Sequence, residues 1–134
     1  MLVEGEYLGG KYRLDTFLHD NGVSSVWAAT DMYTNRKVSI EALSDTLPDQ
    51  ANSSARFTQA AQNLTAGVPH PSIRVVEEIG QSDQGYPFLV MEHVEGKSLR
   101  ALLEENGAIP LPRTIAIVRA LLETLSAAHD HGWI

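Results

Sequence analysis

Two polar side chains stand two residues apart in the segment Lys37-Val38-Ser39-Ile40-Glu41-Ala42-Leu43. Alternate residues of a β-strand share a face, so a strand here sets the Ser39 hydroxyl and the Glu41 carboxylate on one side. Val38 and Ile40 then point to the other. Lys37 shares the face of Glu41 but lies four residues, roughly 13 Å, back along the strand. A carboxylate on such a face repels phosphate. At ~4 Å the repulsion costs about 4 kcal/mol at an effective dielectric near 20. No carboxylate pair and no Ser-His-Asp arrangement offers acid–base or nucleophilic chemistry elsewhere. Asp83 reads as a turn residue and Asp130 as a helix-end residue. His129 and His131 are two apart near a helix end, a poor shared metal face. The chain has no cysteine, which excludes disulfides, thiolate catalysis and cysteine-bound zinc.

The wider composition narrows the classes further. The formal net charge of −7 disfavours binding to a nucleic-acid backbone. No apolar run approaches the ~18 residues that span a bilayer. The first residues, Met1-Leu2-Val3-Glu4-Gly5-Glu6, lack the basic and apolar regions of a signal peptide.

The elements that position Ser39 and Glu41 follow from periodicity. Tyr12, Leu14 and Thr16 alternate with Arg13 and Asp15, which predicts a strand. The turn His19-Asp20-Asn21-Gly22 leads to a second strand, Val23 to Ala29. After Asp31-Met32-Tyr33-Thr34-Asn35 comes a third, Arg36 to Leu43. Phe57, Ala60, Ala61 and Leu64 fall at helical spacing within a helix from Ser53 to Leu64, which Gly67 and Pro69 end. Strands return at Ile73 to Ile79 and Tyr86 to Glu92. Ser98 N-caps a helix over Leu99 to Glu105. Pro112 opens a last helix that runs to Asp130, with Ile115, Val118, Leu122 and Leu125 on one stripe. The order β-β-β-α-β-β-α-α predicts an α+β fold, with one inserted helix on a five-stranded antiparallel sheet and a helical layer after it.

In this order the segments resemble the N-terminal half of a bacterial Ser/Thr protein kinase of the PknB type. Arg56-Phe-Thr-Gln-Ala-Ala-Gln-Asn63 is similar to the start of helix C. Val68-Pro-His-Pro-Ser-Ile73 is similar to the turn L-x-H-P-N-I. Phe88-Leu-Val-Met-Glu-His-Val-Glu-Gly96 is similar to the fifth strand and hinge. Ala127-Ala-His-Asp-His-Gly-Trp-Ile134 is similar to the approach to the catalytic loop. The resemblance covers residues 10 to 134. It implies an N-terminal extension at 1–11, a kinase-like small lobe at 12–92, and a hinge with the first large-lobe helices (D and E) at 93–134. The fold is then truncated before the catalytic loop.

The resemblance also marks departures. The kinase Gly-rich loop carries three glycines where this chain has His19, Asn21 and Ser24. The lysine that holds the nucleotide phosphates is replaced by Glu41, and its helix C partner by Ala60, with Ala61 the alternative under a one-residue insertion. Loss of both members of the ion pair leaves no buried charge unpaired. The adenine-pocket candidates that remain are Val26, Ser39, Met91, Glu92 and Val94. The H-R-D and D-F-G motifs fall outside these residues.

The resemblance therefore implies a catalytically inactive pseudokinase, a regulatory or scaffolding module without cofactor, catalytic residue or metal. The loop and lysine positions are similar to those of the cytoplasmic kinase-like domain of MviN-type mycobacterial flippases for peptidoglycan precursor. That likeness implies a cytoplasmic phosphoprotein in cell-wall signalling. Its partners would be an active Ser/Thr kinase and a forkhead-associated domain protein, with membrane contact only through a fused transmembrane domain. The apolar last helix, 112–130, implies self-association. The alternative reading is a nucleotide-binding sensor or an atypical Ser/Thr protein kinase.

Overall fold

In the computed structural model the chain forms six strands and three helices, and the structure describes residues 1–133. Ile134, which closes the last quoted motif, and the side chain of Thr65 lie outside the described residues. The residues cluster into two units, one of Met1–Gly67 with Arg74–His93, the other of Val68–Ile73 with the residues from Val94 on.

The first unit is built on an antiparallel sheet of order β1-β2-β3-β4-β6-β5. Its strands are β1 (Tyr7–Leu8), β2 (Tyr12–Asp20), β3 (Ser24–Asp31), β4 (Arg36–Leu43), β5 (Val76–Gln81) and β6 (Pro87–Glu92). Helix α1 (Gln50–Thr65) connects β4 to β5. The expected meander is present as β2-β3-β4, and β4 has the predicted bounds. The sheet has six strands rather than five, because Tyr7 and Leu8 pair with Arg13 and Tyr12. The N-terminal extension is thus sewn to the sheet over those residues. Two residues carry no readable alternation, so the sequence pattern could not reveal β1.

The period of two gives the sheet two different faces. On one, Leu8, Tyr12, Leu14, Trp27, Ala29, Val38, Ile40, Ala42, Phe88 and Val90 form a buried core, with Leu2 packed against it. Tyr12 and Phe88 meet edge to face with ring centroids 6.1 Å apart. On the other, Ala61 of α1, with Phe57 and Leu64, packs on Val76, Ile79, Leu89 and Met91. Ala60, expected on the same helical stripe, is exposed instead. The helix begins three residues earlier than the apolar pattern indicates because Asp49 caps it, accepting a hydrogen bond from the Asn52 N–H at 3.2 Å.

Two local features hold the sheet's form. Gly80 lies against the Phe88 ring so closely that a Cβ would overlap it. Asp15, at the bulge between Leu14 and Thr16, accepts hydrogen bonds from Thr30 Oγ1 at 2.6 Å and Arg13 Nε at 2.9 Å. Burial pushes the Asp15 carboxyl up. The Thr30 hydroxyl and the Arg13 guanidinium outweigh it and hold the group below its ordinary value.

The second unit carries α2 (Leu99–Asn106) and α3 (Leu111–Asp130). Ser98 caps α2 as expected, its Oγ accepting from the Ala101 N–H at 3.1 Å. At the end of α3 His131 serves the helix terminus, with Nδ1 2.8 Å from the Ala127 carbonyl oxygen. Ile115, Val118, Leu122 and Leu125 remain 46–62% exposed. No helix among the described residues is long and apolar enough to cross a membrane.

Two predictions follow from this packing. Gly80→Ala forces a methyl into the Phe88 ring and is expected to lower stability by about 1–3 kcal/mol in urea denaturation. An unchanged midpoint would mean that Phe88 yields without cost. For Asp15 the folded pKa is depressed, so its contribution to stability is full above the ordinary value of 3.8 and is lost as pH falls through the folded value. Asp15→Asn is expected to be less stable near neutrality and to lose stability less steeply below about pH 4. An acid limb as steep as wild type would show that this carboxylate is not responsible.

Candidate functional site

The candidate site is the sheet face that carries Glu41. β4 is the strand that places it. Its residues pair with both neighbours: Glu41 lies opposite Val26 of β3 and Leu89 of β6, and Ser39 lies opposite Ala28 and Met91. Ser39 and Glu41 therefore share a face with Val26, Ala28, Leu89 and Met91. Val38 and Ile40 are at 1% and 0% exposure on the other side. A register slip of one residue would put the carboxylate into that core. The two apolar neighbours thus fix the direction in which Glu41 points.

Glu41 does not stand alone. Its Oε1 accepts a hydrogen bond of 2.5 Å from Ser24 Oγ. Ser24 is buried at the start of β3. Asn21 closes the group from the β2–β3 turn: its Oδ1 accepts from the backbone N–H of Val23 at 2.9 Å and of Ser24 at 2.8 Å. Its Nδ2 donates to Ser24 Oγ at 3.3 Å. Asp20 Oδ1 accepts the Gly22 N–H at 2.6 Å. The turn's own side chains thus take up its backbone donors, and Gly22 supplies the φ of 83° that the turn needs. Of the residues singled out in the sequence, the structure brings Asn21, Ser24 and Glu41 into one hydrogen-bonded group. His19 flanks it on β2, opposite Val26, with its side chain exposed.

The other residues are placed separately. Ala60 faces away from the sheet, whereas Ala61 is fully buried on it. Val26 and Ser39 are buried on the Glu41 face. Met91 on that face packs into the α1 cluster. Glu92 is tied to the two residues that lead into β5. Its carboxylate accepts the Val75 N–H at 3.2 Å and its carbonyl accepts from Arg74 Nη2 at 2.9 Å. Val94 belongs to the second unit and is exposed. Two residues escaped the sequence reading. His93 Nδ1 sits 3.4 Å from Ser39 Oγ, and Arg74 anchors Glu92. Neither carries a spacing signal, since both contacts depend on strand pairing across the chain.

No family model matches the chain. Individual proteins do. It is 34% identical over 130 residues to the probable serine/threonine-protein kinase PknB of Corynebacterium glutamicum, covering 95% of this chain and 20% of that one. It is 32% identical over 132 residues to the serine/threonine-protein kinase PknB of Mycolicibacterium smegmatis, covering 96% and 21%. Its homologues are bacterial Ser/Thr protein kinases. The solved kinase domain of Mycobacterium tuberculosis PknI superposes with a TM-score of 0.77 at 22% identity, covering 98% of this chain and 52% of that one. The structure of PpkA-294 in its apo form superposes at 0.78 and 19%, covering 100% and 53%. The fold is the kinase small lobe with the first helices of the large lobe, as the resemblance implied. The chain spans about a fifth of the curated relatives' length.

These relatives correct one expectation. The substitutions at His19, Asn21, Ser24, Glu41 and Ala60 pointed to a protein that is no enzyme. The homologues at 32–34% identity are named Ser/Thr protein kinases, and that finding overturns the expectation of a non-enzyme. The type of residue at a few motif positions was given more weight than the similarity of the chain as a whole.

The Ser24–Glu41 bond links the turn to the central strand and can be tested directly. Hydrogen bonds to charged groups are worth roughly 1.5–3 kcal/mol. Ser24→Ala is expected to cost about that much in urea denaturation and to speed amide exchange at Val23. A variant with wild-type stability and protection would show that the bond contributes nothing.

Proposed function

We propose that this chain is the nucleotide-facing lobe of an atypical Ser/Thr protein kinase, one that binds nucleotide chiefly through its adenosine part. The observation that carries the reading is the two-ended character of the Glu41 face. At one end stand Ser39 and, opposite it, Met91, two buried side chains with one hydroxyl between them whose character matches the flat face of a purine. At the other, Glu41 holds the β2–β3 turn through Ser24 and Asn21. The homologues support the kinase class, and their names give the substrate class as serine and threonine hydroxyls.

The chemistry of the phosphate end sets the nucleotide preference. A kinase lysine gains affinity from phosphate charge. The Glu41 carboxylate takes that gain away, and the turn's N–H groups are already partnered within the protein. The triphosphate then adds little to binding, and transfer depends on groups supplied by the rest of the domain. In this reading the exposed stripe of α3 is covered by that remainder. The chain taken by itself self-associates through it, since an apolar patch of this kind is rarely left open to water.

Thermal-shift titration checks the reading. Adenosine at roughly millimolar concentration is expected to raise the melting temperature by a few degrees, ATP with Mg²⁺ by no more than that. Glu41→Lys is expected to favour ATP over adenosine. Absence of a shift with either ligand would rule out nucleotide binding by this lobe. Failure of the complete protein to transfer phosphate from ATP to serine or threonine would rule out the kinase assignment separately.

A further inference from the structure

The sheet face opposite Glu41 holds a cavity of about 590 Å³ within the first unit. That volume is in the ~300–1,000 Å³ range of small-molecule sites. Its apolar wall is aromatic, with Trp27, Phe88 and Phe17 among the lining residues. Phe17 and Trp27 stand edge to face, their centroids 5.2 Å apart at 72°. The Trp27 indole N–H donates to Ser25 Oγ at 2.9 Å, which fixes the ring. Four carboxylates line the same cavity, those of Glu6, Asp20, Asp45 and Asp83, and no lysine or arginine is among the described lining residues.

Aromatic walls with several carboxylates and no basic side chain select a cation with an apolar body. A ring face attracts a positive charge, and the carboxylates give it a counter-ion. The chain already shows the preference: its own α-ammonium at Met1 lies in this wall, 2.7 Å from Asp45 Oδ2. Asp20 spends one oxygen on the Gly22 N–H and Glu6 one on the Val3 N–H. Among the described residues the Asp83 side chain has no hydrogen-bond partner, so it has both oxygens to offer. Among the described lining residues that one ammonium is the sole counter-charge for an anion. We propose that this cavity is a binding site for a small organic amine, with its apolar part against Phe17 and Trp27 and its ammonium at Asp20 and Asp83, Asp45 being taken up by Met1. The site lies on the other side of the sheet from the nucleotide face and does not depend on how that face is used.

The test follows the Trp27 indole N–H in the full chain by NMR, with Trp133→Phe to assign it. The probes share one ring and differ in charge: phenethylammonium, 2-phenylethanol and phenylacetate. Phenethylammonium is expected to give saturable shifts at least about tenfold tighter than the alcohol, with phenylacetate weaker still. The double variant Asp20→Asn, Asp83→Asn keeps the side-chain shapes. It is expected to bring the amine to within about twofold of the alcohol, as would added salt in part. Equal affinity for all three probes would reduce the cavity to a nonspecific apolar recess. No saturable shift with the amine would overturn the site altogether.

Discussion

Strand β4 is the constraint on which the rest of this structure depends. It is paired on both sides, with β3 along its whole length and with β6 over Val38 to Ala42. Its alternating side chains therefore cannot shift or turn. Val38 and Ile40 belong to one core, Ser39 and Glu41 to the opposite face. From Val38 to Ala42 such a central strand converts sequence parity into chemistry: Ser39 and Glu41 are polar and face the site, while Val38, Ile40 and Ala42 are apolar and hold the register. The Glu41 carboxylate points where it does because two buried aliphatic neighbours leave it no other direction.

What the β2–β3 turn does depends on that direction. Asn21 and Asp20 take the backbone N–H groups of Gly22, Val23 and Ser24, and Ser24 passes the connection on to Glu41. A lysine at position 41 could not accept the Ser24 proton, so the serine and the glutamate make sense together. The same residues that look like separate losses from a motif are, in space, members of one hydrogen-bonded group. Its stability comes from charge-assisted bonding at a partly buried position, where each bond counts for more than in open water.

Much of the fold was legible because the signals were periodic. β4 was found at its observed ends, since alternation and a turn on one side bounded it, and Ser98 announced α2 by its capping position. The misses were of a different kind. β1 is too short for any period to show. Ala60 and Ala61 are alike in composition, and only the helix's rotation on Val76, Leu89 and Met91 tells which one is buried. The Ser24–Glu41 bond and the Ser39–His93 contact join residues far apart in sequence, so they follow from strand register and not from spacing. The activity expectation went astray for a related reason. It rested on residue types at motif positions one by one, whereas similarity to relatives named Ser/Thr protein kinases is spread over nearly the whole chain.

Val26 and Trp27 are consecutive residues of β3, yet one faces Glu41 and the other looks into the cavity behind the sheet. Between those two environments there is one thickness of backbone and no intervening layer. The sheet is in this respect a diaphragm. A displacement of the Trp27 ring has to be absorbed by the same peptide unit that carries Val26. On one edge β4 pairs with that unit in regular register, and on the other the β2 ladder is irregular between Phe17 and His19, opposite the same two residues. Two surfaces that share no side chain are, mechanically, neighbours.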